Sequence, residues 1–207
     1  MNRLGRIVFV SALTLFGAAA AMATEEAKYS VVKKEEAFEL RDYASHILAE
    51  TVVEGDINDA SNKAFGKLFG YISGKNKTRN KLAMTAPVSQ SPASEKISMT
   101  APVGQQSIGN KWAVSFMMPA TYTMESLPTP DDSSVVLREV PARRVATLRY
   151  SGLWSEERYL QHKLQLEAWI KKNKLKVSGE ASWARYDPPF MPWFMRRNEI
   201  LIPVEKD

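Results

Sequence analysis

Any chemistry in this chain would have to be done without cysteine and with two histidines, His46 and His162. The absence of cysteine excludes thiol catalysis, iron–sulfur clusters and thiolate zinc sites. Neither histidine has a second ligand at metal-binding spacing, so each is only a weak candidate for holding a metal. His46 falls in a predicted strand and reads as solvent-facing; His162 lies on a predicted helix. Paired acids stand at Glu35-Glu36, Asp131-Asp132 and Glu156-Glu157. All sit at helix starts or in loops, where capping and solvation account for them better than acid–base work does. No HExxH, GxSxG, phosphate loop or GxGxxG is present, so the familiar hydrolase and nucleotide-binding signatures are missing. Met84, Met99, Met117 and Met118 carry soft sulfur that suits copper(I). Met84 and Met99 fall on strand faces beside Leu, Ile and Val, which makes core filling the better account.

Two apolar clusters are better placed to hold a ligand. The segment DPPFMPWFM (187–195) sets Phe190, Trp193 and Phe194 among three prolines. Loops are normally polar, and proline restricts the chain in ways that would hold such rings rigidly. The facing wall is Phe65, Leu68 and Phe69 on a predicted helix. Arg196 and Arg197 end the loop and could meet carboxylates. Aromatic walls with a few cations suit a small, planar, hydrophobic ligand bearing negative charge. The alternative is a lid that closes the core, with Arg196 or Arg197 pairing to Asp187 or Glu199 to fix the loop.

The elements that must position these residues come in two copies. FELRDYASHILAETVVEG (38–55) aligns without a gap on VVLREVPARRVATLRYSG (135–152). Leu40 meets Leu137, Arg41 meets Arg138, Ala49 meets Ala146 and Gly55 meets Gly152. Each copy reads as a strand, a kink and a second strand ending at glycine. A helix follows each. The first, over 58–72, has Asp56 or Asn58 as N-cap and Ala60, Ala64, Phe65, Leu68, Phe69 and Ile72 at helical spacing. The second has Ser155 as N-cap and Glu156 and Glu157 in its first turn. It runs through Tyr159, Leu160, Leu164, Ala168 and Trp169 to a stop near Asn173. Strands are expected at 112–118, 181–186 and 198–204. The fold class is therefore α+β: duplicated strand–helix–strand–strand units, about 29–126 and 133–204, forming one distorted antiparallel barrel-like sheet with two main helices outside.

A closer repeat lies inside the first half. KLAMTAPV (81–88) recurs as KISMTAPV (96–103). Alternation puts Leu82, Met84, Ala86 and Val88 on one face, and Ile97, Met99, Ala101 and Val103 on the matching one. Two such strands would pair as a hairpin with their apolar faces together.

The N-terminus reads as a secretory leader. MNRLGR is basic, 7–20 is apolar, and Ala21-Met22-Ala23 is a small-x-small cleavage pattern. The expectation is an exported protein, periplasmic in a bacterium, with a signal peptide over 1–23 and one domain over 24–207. The formal net charge is +5, of which Arg3 and Arg6 would leave with the leader. What remains is too weakly basic for a nucleic-acid partner. No stable membrane insertion is expected after cleavage, because no other segment is long and apolar enough. Oligomeric state is left open.

RDYASHILAETVVEG, FGKLFGYISGKN, MTAPV, FMMPATYT, VPARRVATLRYSG and ARYDPPFMPWFMRRNEILIPV together resemble the SOUL/haem-binding protein family. The resemblance runs from Tyr29 to Val204. It implies a duplicated fold similar to GyrI-like effector-binding domains. It also implies haem or another tetrapyrrole bound in an apolar groove beside the first long helix and under a late loop. On this sequence those are 58–72 and 186–197, so the implied cofactor-binding residues are Lys63, Phe65, Lys67, Leu68, Phe69, Phe190, Trp193, Phe194 and Arg197. Animal members carry basic residues at positions that correspond here to Asn62 and Gly70. This chain departs there, and Lys63 and Lys67 are the nearby substitutes. The family prescribes no axial ligand, which leaves His46 and His162 as weak candidates for haem iron. The expected function is a non-enzymatic, soluble binding protein. Its rivals are an enzyme acting on a small hydrophobic substrate in the same cleft, favoured by a buried Glu or Tyr of perturbed pKa, and an interaction module using the aromatic loop.

Overall fold

The computed structural model describes residues 24–78 and 94–206. The expected leader and the first MTAPV phrase lie outside these residues. Nine strands form one curled antiparallel sheet: β1 (Tyr29–Glu35), β2 (Phe38–Tyr43), β3 (His46–Glu54), β4 (Val103–Ile108), β5 (Lys111–Met117), β6 (Val135–Val140), β7 (Arg143–Tyr150), β8 (Ser182–Arg185) and β9 (Asn198–Val204). Helix α1 (Ile57–Ile72) lies between β3 and β4 in sequence, and α2 (Glu156–Lys172) between β7 and β8. Across the sheet the order is β6-β3-β5-β4-β8-β9-β7-β2-β1.

That order carries the duplication. The middle of the sheet is the β4–β8 pair, and each half repeats outward from it. The first strand of each unit crosses to the other: β6 pairs with β3, and β2 pairs with β7. The registers are equivalent. Leu137 faces Ala49 and Arg138 faces Leu48, while Leu40 faces Ala146 and Arg41 faces Val145. These are the residues that the alignment makes equivalent, so the two halves are related by a pseudo-twofold axis between β4 and β8. Gly55 and Gly152, also equivalent, both adopt positive φ, at 130° and 138°. That conformation favours glycine, and it turns each strand into its helix.

Both helices lie on one face of the sheet, α1 over β3 and β5, α2 over β7 and β9. Ala60, Ala64 and Leu68 are wholly buried beneath α1; the two alanines let the helix backbone approach the strands. Asp56 caps α1 by accepting from the Asp59 amide at 3.0 Å, so Asn58, inside the helix, is not the cap. Ser155 caps α2 as expected, its hydroxyl accepting from the Arg158 amide. The buried side of α2 differs from the expected one. Tyr159, Leu166, Trp169 and Ile170 are inside, whereas Leu160 and Leu164 are exposed. The apolar positions of α2 exceed one stripe, and the spacing alone did not say which side meets the sheet.

The second MTAPV phrase corrects the strand reading. Only Thr100–Ala101 is a strand before β4, and it pairs in parallel with Glu25–Glu26. Thr100 and Ala101 are both buried while Met99 is 39% exposed, so the simple alternating face through Met99 does not hold. The Thr100 hydroxyl is drawn inward by the Met117 carbonyl, to which it donates at 2.5 Å. No helix among the described residues is long and apolar enough to cross a membrane.

Candidate functional site

The sheet has two faces. The face away from the helices is concave and encloses a cleft of about 530 Å³. Small side chains from the central strands, Gly104, Ala113, Ser115, Ser182 and Ala184, line its hollow. At its side Glu199, wholly buried, accepts from Arg41 at 2.7 and 3.1 Å, from the Tyr186 hydroxyl at 2.9 Å and from Arg197 at 3.0 Å. Arg197 also reaches Glu26 at 2.9 Å. Burial pushes the Glu199 carboxyl up, but Arg41, Arg197 and Tyr186 outweigh burial and hold it below the usual carboxylate range. Burial, with the nearby Glu199 charge, pushes the Tyr186 phenol up. A buried Glu and Tyr are thus present, yet both shifts run away from neutrality. The pair stays ionised and protonated respectively, which suits a structural network rather than proton transfer.

Arg197, expected as a free cation at a groove mouth, belongs to this network. It also stacks over Tyr186, 3.6 Å from the ring centroid, and its amide donates to Asp187 at 2.5 Å. The expected pairing that fixes the loop is therefore present. His46 is half-buried at the head of β3 and lines the concave cleft. Its Nδ1 lies 3.0 Å from the Ala44 carbonyl oxygen. Burial, rather than open solvent, lowers its pKa, helped by Arg143 and Arg138.

The other face carries the two helices. Since α1 covers β3 and β5 and α2 covers β7 and β9, the central strands β4 and β8 form the floor between them. Gln105 and Trp183 face each other across that pair, both buried. One step along β8, Arg185 is 8% exposed. Its guanidinium donates to Ser61 of α1 at 2.9 Å and to the Gln105 side-chain oxygen. Gln105 in turn donates to the Ile57 carbonyl at 2.8 Å. Burial lowers the Arg185 pKa to about 10, opposed only by Tyr150. That guanidinium lies over the rings of Trp154 and Trp183, at 5.1 and 4.2 Å from their centroids.

The late loop joins this floor through Trp154. Arg196 stacks on Trp154 at 4.5 Å and donates to the carbonyls of Met191 and Pro189 at 2.8 and 2.5 Å. Trp154 donates to Asn198 at 2.8 Å. The loop is therefore held by hydrogen bonds, with Trp193–Met195 in a short 3-10 turn. Its rings stay open to solvent: Phe190 is 84% exposed, Trp193 56% and Phe194 60%. On α1, Phe65 and Phe69 are stacked at 5.8 Å and are 41% and 49% exposed. Leu68 lies in the core beneath the helix, not on this open wall. Lys67 turns toward the loop before β6, where it donates to Ser134 at 2.8 Å. Lys63 folds back near Gly55, about 3.9 Å from where a Cβ there would sit. His162 of α2 stacks on Tyr150 at 3.8 Å.

Sequence reading missed Ser61, Gln105, Tyr150, Trp154, Arg158, Trp183 and Arg185. One signal was available. Ala181, Trp183 and Arg185 share a face by the period of two, so a strand that buries Ala and Trp also buries an arginine.

The family model described as "SOUL heme-binding protein" matches residues 24–203. "Heme-binding protein 1" of Mus musculus is 29% identical over 152 residues, 73% of this chain and 75% of the relative. "Heme-binding protein 2" of Mus musculus is 28% identical over 178 residues, 78% of this chain and 79% of the relative. Among solved structures, the EcmrR C-terminal domain superposes with a TM-score of 0.54 at 12% identity, over 86% of this chain and 99% of that one. A hydrolase from Listeria innocua gives 0.53 at 12% identity, over 84% and 94%. At such identities the likeness is one of fold.

Proposed function

Because the chain belongs to the SOUL heme-binding protein family, we propose that it binds haem or a related tetrapyrrole in the groove between α1 and the late loop. The observation that carries this reading is two sets of open aromatic rings, Phe65 and Phe69 on α1 and Trp193 and Phe194 in the late loop. Rings at 41–60% exposure, held by a hydrogen-bonded loop and a helix, are a surface prepared for a flat apolar partner. Haem iron needs no protein ligand for the reading to stand: His46 lies on the other face of the sheet, and the His162 ring is stacked on Tyr150.

Burying about 400 Å² of macrocycle contributes roughly 10 kcal/mol at ~25 cal/mol per Å². Lost translational and rotational freedom removes about 4 kcal/mol or more. The remainder allows an affinity somewhat weaker than micromolar before charge contacts are added. We read the protein as a binder rather than a catalyst, since on the concave face the Glu199 carboxyl is held below the usual carboxylate range and the Tyr186 phenol is pushed up. Export is part of the same proposal, supported by the leader pattern and by a family match that begins at residue 24, next to the expected cleavage site. The intact mass of protein from the exported fraction tests that part; a mass retaining 1–23 refutes it.

The binding test is an absorbance titration of the purified protein with hemin and with iron-free protoporphyrin. Both should bind with similar affinity. No spectral change and no saturation with either would reject the proposal.

A further inference from the structure

Five polar side-chain atoms around the groove floor are buried without a hydrogen-bond partner in the protein: Tyr150 Oη, Arg158 Nε, His162 Nε2, Trp183 Nε1 and Arg185 Nε. They belong to one cluster. The Tyr150 ring stacks on His162 at 3.8 Å, and its phenol lies close to the charges of Arg185 and Arg158 and within hydrogen-bonding reach of the Trp183 indole. Arg158 lies against Gly152, where a Cβ would come within 2.9 Å of its Nε. Trp183 underlies Arg185 at 4.2 Å.

The chemistry of the cluster is one-sided. Two guanidinium N–H groups and an indole N–H can only donate, the phenol can donate or accept, and the imidazole nitrogen does either by tautomer. Arg185 gives its other N–H groups to neutral partners, Ser61 and Gln105, and no carboxylate opposes the burial that lowers its pKa. Among the described residues neither Arg185 nor Arg158 takes part in an ion pair, whereas Arg41 and Arg197 on the concave face share Glu199. A buried cation without a counter-charge is costly, and the cost is relieved by an acceptor that arrives from outside. Trp183 and Tyr150, 0% and 8% exposed, keep the cluster dry, which strengthens any charge contact made there.

We infer that this cluster is a carboxylate-binding centre at the floor of the groove, with Arg185 and Arg158 as its cations and Tyr150 and Trp183 as its neutral donors. The inference rests on the groove reading above and adds the chemical class of group that the groove selects. A carboxylate offers two oxygens and about four lone-pair directions; the centre offers four donors. The sign excludes metal cations and organic cations as occupants of the floor. The ligand so selected is flat and apolar with at least one free carboxylate aimed inward, between the rings of the loop and of α1.

The test compares hemin with hemin dimethyl ester, which keeps the macrocycle and iron but has no ionised carboxylate. Wild-type protein should bind hemin at least about tenfold more tightly than the ester, the worth of one charge-assisted hydrogen bond or more. Tyr150→Phe removes the hydroxyl and leaves the ring able to stack on His162, and its melting temperature, measured alongside, checks that the fold is kept. The variant should weaken hemin several-fold and leave the ester unchanged. Arg185→Met should remove most of the preference. Equal affinity of wild type for hemin and ester overturns the centre while leaving the groove reading intact, and so do variants that weaken both ligands alike. If neither porphyrin binds, the groove reading fails, and benzoate decides the centre on its own. Benzoate that raises the melting temperature of wild type but not of Arg185→Met supports the centre; no effect on wild type overturns it.

Discussion

Arg41 and Arg185 are both buried on this sheet, on opposite faces, and they meet different fates. Arg41 lies 2.7 Å from Glu199, with Arg197, Tyr186 and Tyr43 completing a closed network. Arg185 lies over the rings of two tryptophans and donates to neutral groups alone. The closed network has nothing left to offer a ligand and is a structural device. The open cluster retains unmet donors beside exposed rings. Burial by itself therefore does not mark a site; what distinguishes the two faces is whether the buried charge is already answered.

The sharpest way to test that contrast is to open the closed network. Glu199→Gln keeps the shape but leaves Arg41 and Arg197 without their shared charge, and should cost about 3–5 kcal/mol of stability. A urea midpoint equal to that of wild type would show that the network is not structural. The same carboxyl sets an acid limit. Because its folded pKa is depressed, its contribution is fully present above the unfolded value of about pH 4.3 and is lost as pH falls through the lower folded value. Wild-type stability should therefore decline below about pH 4.3 more steeply than that of Glu199→Gln, as read by thermal melts across that range.

The groove side should respond in binding and not in stability. Trp193→Ala should weaken hemin and protoporphyrin by about tenfold through lost ring contact. Its melting temperature should stay close to wild type, because the side chain is 56% exposed. A variant that unfolds but binds normally before it melts would reverse the assignment of the loop. Removing both histidines, His46→Ala with His162→Ala, should change hemin affinity by less than about 0.5 kcal/mol if iron coordination adds little. Loss of hemin but not of iron-free protoporphyrin in that variant, with Trp193→Ala unaffected, would make coordination the main contribution. The smallest effect is expected at Met99→Asp. The side chain is 39% exposed, so urea unfolding should shift by within about 0.5 kcal/mol; a large loss would restore the buried strand face that alternation suggested.

Much of the fold was legible because its signals are local or repeated. Gly55 and Gly152 mark the strand ends by a conformation that glycine favours, and the ungapped alignment of 38–55 on 135–152 carries the register of both strand pairs. Ser155 is a cap by its own hydroxyl. The 198–204 strand was bounded by the run of apolar residues that it buries. The candidate site was legible only in its outer walls. Phe65, Phe69, Trp193 and Phe194 stand out by composition, but Leu68 and Arg197 share their neighbourhood in sequence and point elsewhere. Which side of α2 packs inward was a matter of docking, since Leu160 and Leu164 have the same apolarity as Leu166.

By itself, then, the sequence determined the duplicated units, their turns and caps, and the aromatic loop, because each depends on residues a few positions apart or on one segment matching another. Only the tertiary structure decided which arginine meets a carboxylate. Arg41 and Glu199 are separated by 158 positions, and Arg185 and Ser61 by 124. Whether a buried cation is answered depends on which strands become neighbours across the pseudo-twofold axis, and on which side of each strand the helices close.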